Sequence, residues 1–171
     1  QYPVSPRPVS IFMAGSPGAG KTEFSKNLIT ELSKLENGSK AVRIDPDEIR
    51  DRLPQYSGGN AHLFQLAVSI VVEKILTHVL EKKKSFILDG TFANLDKGRA
   101  NIKHSLDKNR IVQIEFLYQE PRTAWKFTQD REATEGRNIP KDVFIARFLS
   151  SQNTVNILKK AGVDMTTTEP F

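Results

Sequence analysis

The stretch that decides the fold is VSIFMAGSPGAGKTEFSKNLITELSKL, Val9–Leu35. Its first part, Val9–Gly15, is a short and nearly unbroken apolar run, the pattern of a strand buried on both faces of a parallel sheet. Its last part carries apolar residues at Phe24, Leu28, Ile29, Leu32 and Leu35, which is helical spacing. Between them lies GSPGAGKT, Gly15–Thr22, which matches the eight-residue pattern G-x-x-x-x-G-K-[ST]. A chance match in a chain of this length has odds on the order of one in a hundred. A strand directly before it and a helix directly after it form the setting that such a loop requires. Gly15, Gly18 and Gly20 free the backbone so that N–H groups, with those of Ser16, Pro17's neighbours and Ala19, can turn inward around phosphate oxygens. The helix N-terminus adds a positive dipole. Lys21 is placed to reach the β- and γ-phosphates, and Thr22 to offer a hydroxyl to Mg²⁺. The nucleotide-binding stretch is therefore Gly15, Ser16, Pro17, Gly18, Ala19, Gly20, Lys21 and Thr22. No N-K-x-D-type guanine signature is present, so ATP is the expected nucleotide.

Outward from this loop the chain alternates strands and helices. Short strands are expected at Ala41–Asp45, Ser85–Phe92 and Ile111–Tyr118, with a fifth starting in the tail. The fourth, with polar Gln113 and Glu115, is expected nearer the sheet edge. Asn37-Gly38 stops the first helix. Further helices are expected to about Leu53, over Ala61–Lys82, Leu95–Lys108, Pro121–Ala133 and Lys141–Lys160, with Pro140 suiting the first turn of the last. Such alternation predicts an α/β fold of three layers, a P-loop NTPase with a mostly parallel sheet of about five strands covered by helices on both faces. With 171 residues, no repeats and no linker, a single P-loop kinase domain over 1–171 is expected.

Composition narrows the function. Hydrophobic content of 38% and charged content of 26% are those of an ordinary globular chain. Without cysteine, disulfides and thiolate metal sites are excluded, which fits a reducing, cytoplasmic compartment. The chain opens on Gln1, as a trimmed piece would, and no signal peptide stands at its start. The most apolar window, Leu63–Leu80, carries Gln65, Glu73, Lys74 and His78 and reads as a buried helix, not a membrane span. The net charge of +5 suits an anionic small-molecule partner. No basic stripe interleaved with aromatics points to nucleic acid.

Ligands of an open parallel sheet bind at the carboxyl ends of its strands. RIDPDEIR, Arg43–Arg50, follows the second strand and brings Asp45, Asp47 and Glu48 to that edge. Asp45 fits a helix N-cap before Pro46, and Asp47 and Glu48 fit the first turn. A kinase acting on a hydroxyl also needs a carboxylate there to accept a proton, so both readings stand on position alone. ILDGT, Ile87–Thr91, ends a second strand in Asp89, with Thr91 two residues on. A charge closing an apolar strand must be paired or used. Glu73 shares a helix face with Leu66, Ile70, Thr77 and Leu80, and is expected to bind a ligand, turn to a rim or pair with a lysine. Arg131 near a helix end and Arg137 in the TEGRNIP loop are either surface cations or stabilisers of a transferred phosphoryl group.

The pieces GSPGAGKT, RIDPDEIRDRLPQY, ILDGTFAN and REATEGRNIP, from about Val9 to Phe148, resemble the zeta toxin family, P-loop kinases of bacterial toxin–antitoxin systems. The resemblance implies ATP- and Mg²⁺-dependent phosphorylation of a sugar hydroxyl on UDP-N-acetylglucosamine or a related UDP-sugar, which starves cell-wall synthesis. It implies Asp47 as catalytic base, Lys21, Arg131 and Arg137 as contacts to ATP and the transition state, and Glu73, Asp89 and Thr91 as nucleotide-sugar contacts. Thr22 and Asp45 would serve the metal. A protein antitoxin, separate or fused, is the implied partner. The chain is shorter than the long family members, and its strand-end acid is the shorter Asp89. Kinases of NAD, of antibiotics or of polynucleotide 5′ ends share much of the pattern, and a nucleotide switch without phosphotransfer is the alternative from another class.

Overall fold

The computed structural model of the protein describes residues 4, 7–34, 40–136, 138–161 and 165–168. Its five-stranded sheet has the order β2-β3-β1-β4-β5, with β1 Val9–Ala14, β2 Val42–Ile44, β3 Phe86–Leu88, β4 Ile111–Leu117 and β5 Met165–Thr168. Every neighbouring pair is parallel. The helices between them are α1 Lys21–Lys34, α2 Pro46–Asp51, α3 Gln65–Glu81, α4 Leu95–Asp107, α5 Pro121–Glu135 and α6 Lys141–Lys160. Strand order switches sides at β1: β2 and β3 lie to one side of it, and the chain then crosses to place β4 and β5 on the other. That switch opens the crevice at the carboxyl end of β1.

The apolar run of β1 is buried on both faces because each face meets helices. Phe12 and Ala14 face one core, with Phe86, Ile114, Leu76 and Val79 of α3, Ile102 of α4 and Val155 and Leu158 of α6. Ile11 and Met13 face the other, with Ile87, Leu117 and the α1 residues Phe24, Leu28, Ile29 and Leu32. Phe12 is fully buried and packs edge-on against Phe86 at 5.6 Å between ring centres. Truncating such a residue to alanine costs about 3–5 kcal/mol.

Several expected boundaries shift. The strand expected over Ser85–Phe92 pairs only over Phe86–Leu88, because Asp89 onward turns into the crevice. Residues Ala61–Phe64 form a 3-10 turn ahead of α3. Pro140 stands at the N-cap of α6, one position before the first helical turn. The stop at Asn37-Gly38 lies outside the described residues. β4 sits one strand in from the edge, with β5 outside it, and Glu115 is buried despite its charge. Among the described residues one stretch, Ala61–Glu81, is long and apolar enough to cross a membrane by length and composition, with mean hydropathy 1.7. The expected buried helix is only partly buried: Leu76, Val79 and Leu80 pack in the sheet core and Val68 is buried, while Leu63, Leu66 and Ile70 are exposed.

Candidate active site

The glycine loop sits at the carboxyl end of β1 and is held from two sides. Gly15 has φ 139, and a Cβ there would lie 2.4 Å from the Leu117 carbonyl oxygen at the end of β4. Gly18 has φ 73, and its Cβ would lie 2.2 Å from the Ala124 carbonyl oxygen in α5. Both positions therefore exclude any side chain, by space and by backbone conformation. The Gly15 N–H donates to the Thr91 carbonyl at 3.2 Å, which ties the loop to the segment after β3. The Ser16 hydroxyl is buried without a hydrogen-bond partner, and Lys21 Nζ donates to the Ser16 carbonyl at 2.5 Å. Thr22 follows in the first turn of α1 and lines the same cleft.

Contact between Gly18 and Ala124 also aims α5. Ala124, Thr128 and Arg131 fall at i, i+4 and i+7, one stripe of that helix, and Thr128 and Arg131 line the cleft. Arg131 donates twice to Glu135 Oε2, at 3.1 and 2.9 Å. Burial works against its charge, but Glu135, Asp47 and Glu23 outweigh that and raise its pKa above the ordinary arginine value. Asp47 and Arg131 line the same cleft. Arg137 lies outside the described residues.

Three carboxylates of RIDPDEIR have separate fates. Asp45 is the N-cap of α2: its Oδ1 accepts from the Asp47 N–H at 2.8 Å. Asp47, about a third exposed, lines the cleft with Lys21 and accepts on Oδ1 from Arg50 NH1 at 2.7 Å. Glu48 accepts from Arg43 NH1 at 2.6 Å. Arg43 itself is the centre of a buried network. Its NH2 donates to Asp45 Oδ2 and to Asp89 Oδ2, both at 2.6 Å, and its Nε donates to Ser25 Oγ at 2.8 Å. Ser25 in turn donates to Asp89 Oδ2 at 2.8 Å. One guanidinium therefore fastens the ends of β2 and β3 to α1, the helix that begins with Lys21. Burial raises the Asp45 pKa, and the nearby charges of Asp89 and Asp47 add to this; the Asp47 N–H and Arg43 oppose it. Burial works against the charge of Arg43, but its contacts with Asp89, Asp45 and Glu48 outweigh that and raise its pKa.

Asp89 is buried and spends one oxygen on Arg43 and Ser25, yet it still borders the cleft beside Gly90 and Thr91. Glu73 lies on the rim of the cleft, on a face whose Leu66 and Ile70 are exposed. It pairs with Lys97 of α4 at 3.2 Å on the rim, and Lys97 also donates to Ser69 at 2.6 Å. The buried stripe of α3 is Val68, Val72 and Leu76, which with Leu88 and Phe92 makes the apolar wall of the cleft. The whole cleft encloses about 740 Å³, within the size range of small-molecule sites.

Sequence reasoning missed Arg43, Ser25 and Arg50 as partners of these acids. Two of them had a signal. Arg43 stands two residues before Asp45 in a strand, hence on its side of the sheet, and Arg50 stands three after Asp47 in a helix, hence beside it. Ser25 meets Asp89 only through the tertiary fold.

A glycine loop opening a helix at the switch point of a parallel sheet, with acidic strand ends and cationic helix residues around one cleft, defines a P-loop phosphotransferase. The chain belongs to the zeta toxin family, whose family model matches residues 1–168. No curated protein sequence matches it significantly. Among solved structures, it is similar to a chain from the PezAT chromosomal toxin–antitoxin system of Streptococcus pneumoniae, with TM-score 0.78 and 19% identity over 98% of this chain and 69% of that one. It also resembles a chain of the Pnkp1/Rnl/Hen1 RNA repair complex, with TM-score 0.68 and 19% identity over 88% of this chain and 46% of the other. The AvrRxo1-ORF1:-ORF2 structure with ATP matches at TM-score 0.73 and 12% identity, over 96% of this chain and 55% of that one. At such identities these likenesses show the fold, and the chain spans about half the length of the latter two.

Proposed function

We propose that this protein is a single-domain kinase, over 1–171, that uses ATP to phosphorylate a sugar hydroxyl of UDP-N-acetylglucosamine or a related UDP-sugar. In this reading it acts in the cytoplasm as a toxin that blocks cell-wall synthesis and is restrained by a protein antitoxin. The observation that carries the reading is that Lys21, Asp47, Arg131, Asp89, Thr91 and Glu73 all border one cleft. A switch without phosphotransfer needs no acceptor base beside its metal-binding acid, and Asp47 lines the cleft in addition to Asp45.

The residues present fit the nucleotide and its metal. The loop's N–H groups and the orphaned Ser16 hydroxyl suit phosphate oxygens. Lys21, now on the Ser16 carbonyl, moves to the β- and γ-phosphates. Among the described residues no cluster of three His, Cys, Asp or Glu side chains could cage a metal. That suits Mg²⁺, which takes one or two protein oxygens plus substrate phosphates, here through Thr22 and Asp45. An ion held by Thr22 and Asp45 would offset negative charge on the phosphates. Asp47 orients the acceptor hydroxyl and takes its proton as the oxygen attacks the γ-phosphorus, while the bond from that phosphorus to the β–γ bridging oxygen breaks and ADP leaves. Arg131, and Arg137 from its loop, offset the negative charge spreading over the transferred group. The apolar wall of Val68, Val72, Leu76 and Phe92 excludes water, which would otherwise compete as acceptor.

The test is incubation of the protein with MgATP and a mixture of UDP-sugars, NAD and a 5′-hydroxyl oligonucleotide, read by mass spectrometry. The expected product is a UDP-sugar heavier by one phosphoryl group. Phosphate on NAD or on the oligonucleotide instead would replace the acceptor, and ATP binding with no product would leave a nucleotide switch.

A further inference from the structure

We infer that Arg50 is the positioning residue of Asp47: it holds the carboxylate of α2 in place over the cleft and anchors that hold on α3 through Gln65. This rests on the reading of Asp47 as the acceptor base. Arg50 is buried, yet its residue type prefers the surface, and its guanidinium faces the cleft from the second turn of α2. NH1 donates to Asp47 Oδ1 at 2.7 Å, and NH2 reaches Gln65 Oε1 at 3.4 Å. Its Nε is buried without a hydrogen-bond partner. That unpaired N–H is a cost to stability, and the bond the guanidinium keeps is the one to Asp47.

The geometry also explains why Asp47 needs such a hold. Its backbone is fixed at the start of α2 by the Asp45 cap, but its side chain is about a third exposed and borders the open cleft. An exposed carboxylate samples several rotamers. A hydrogen bond on Oδ1 selects one of them and orients the plane of the group toward the cleft. Gln65 opens α3 and lines the same cleft, so the fork spans the short helix that bears the base and the long helix that walls the acceptor side. Arg50 touches neither donor nor acceptor in this assignment and acts through Asp47.

The test compares Arg50→Met, Arg50→Lys and Asp47→Asn. MgATP turnover is followed with UDP-N-acetylglucosamine and with water alone as acceptor, beside ATP affinity by calorimetry and melting temperature. Arg50→Met is expected to lower kcat by about 10- to 100-fold, the scale of a misplaced catalytic group, while ATP Kd stays within about twofold. Arg50→Lys keeps the charge and loses the fork, and its kcat is expected between those of Arg50→Met and the parent. Gln65→Met, which removes only the outer anchor, is expected to lower kcat roughly threefold, the worth of one weak hydrogen bond. A kcat for Arg50→Met near the parental value overturns the assignment. So does a parallel loss of kcat and ATP affinity with no recovery in Arg50→Lys, which is the signature of plain structural damage. If Arg50→Met does not fold, unchanged kcat in both Arg50→Lys and Gln65→Met overturns it. Asp47→Asn separates the two readings: an active Asp47→Asn removes the base itself, whereas an inactive one beside an unaffected Arg50→Met removes only the role of Arg50.

Discussion

Replacing Arg43 by methionine is the most demanding test of how the cleft is built. The substitution keeps a long apolar stem and removes the guanidinium that Asp45, Asp89 and Glu48 share at 2.6 Å each. Glu48 is half exposed, and its pair is worth at most about 1 kcal/mol. Asp45 and Asp89 are buried, at 7% and 5% exposure, and are left as two neighbouring carboxylates without a cation. Removing one partner of a buried ion pair costs about 3–5 kcal/mol. For a chain of 171 residues that corresponds to a fall in melting temperature of roughly 6–20 °C. The sign of the pH dependence follows from Asp45. Burial already raises its pKa, with Asp89 and Asp47 adding to this and Arg43 opposing it. Without Arg43 the value rises further. A carboxyl whose folded pKa is raised supports the fold below its unfolded pKa, and that support is lost as pH rises through the folded value. The deficit of Arg43→Met is therefore expected to be larger at pH 8 than at pH 5. Chemical denaturation of the parent and variant at both pH values measures it. Adding Asp89→Asn to Arg43→Met removes one orphaned charge while keeping an acceptor for Ser25, and is expected to restore about 1–2 kcal/mol. A deficit under about 1 kcal/mol, or one equal at both pH values and unmoved by Asp89→Asn, would refute the view that one buried cation holds these strand ends together.

Gly18→Ala is expected to abolish ATP binding in calorimetry while most of the sheet survives in circular dichroism, because its Cβ meets the Ala124 carbonyl at 2.2 Å and its φ is 73. Lys21→Met is expected to lower kcat/KM by at least about 100-fold, the scale of a lost charge on the transferred phosphoryl group, with a melting temperature close to the parent's. Asp45→Asn keeps an N-cap for the Asp47 N–H and removes a buried charge, so unfolding free energy should change by less than about 1 kcal/mol at neutral pH. The same variant should flatten the loss of stability as pH rises above the unfolded carboxyl pKa, because that loss comes from a raised Asp45 value. Arg110 lies at the opposite end of the sheet, donates to Ser10 Oγ and to the Val9 and Lys84 carbonyls, and sits 5.1 Å over the Phe86 ring. Burial lowers its pKa to about 10, so it is charged at neutral pH. Arg110→Met should cost about 1–3 kcal/mol in denaturant unfolding without changing ATP affinity, since it orphans two carbonyls far from the cleft.

The amino-acid sequence by itself determined the order of elements, the parallel sheet and the phosphate loop. These depend on local signals: two-faced apolar runs, helical spacing, and glycines at fixed offsets that only one backbone geometry accommodates. It also brought Asp45, Asp47 and Asp89 to one edge, because strands of a parallel sheet end on the same side. The division of labour among those acids was decided by the tertiary structure. Asp45 and Asp89 became partners of Arg43 because β2 and β3 are neighbours, an adjacency that strand order alone sets. Glu73 turned to the rim because α3 lies on the sheet through Leu76, Val79 and Leu80, a rotation that a helix apolar on nearly every side does not specify. Side-chain charge is legible along a chain, but what compensates it is a matter of distance in space, and only the packed sheet and helices supply that.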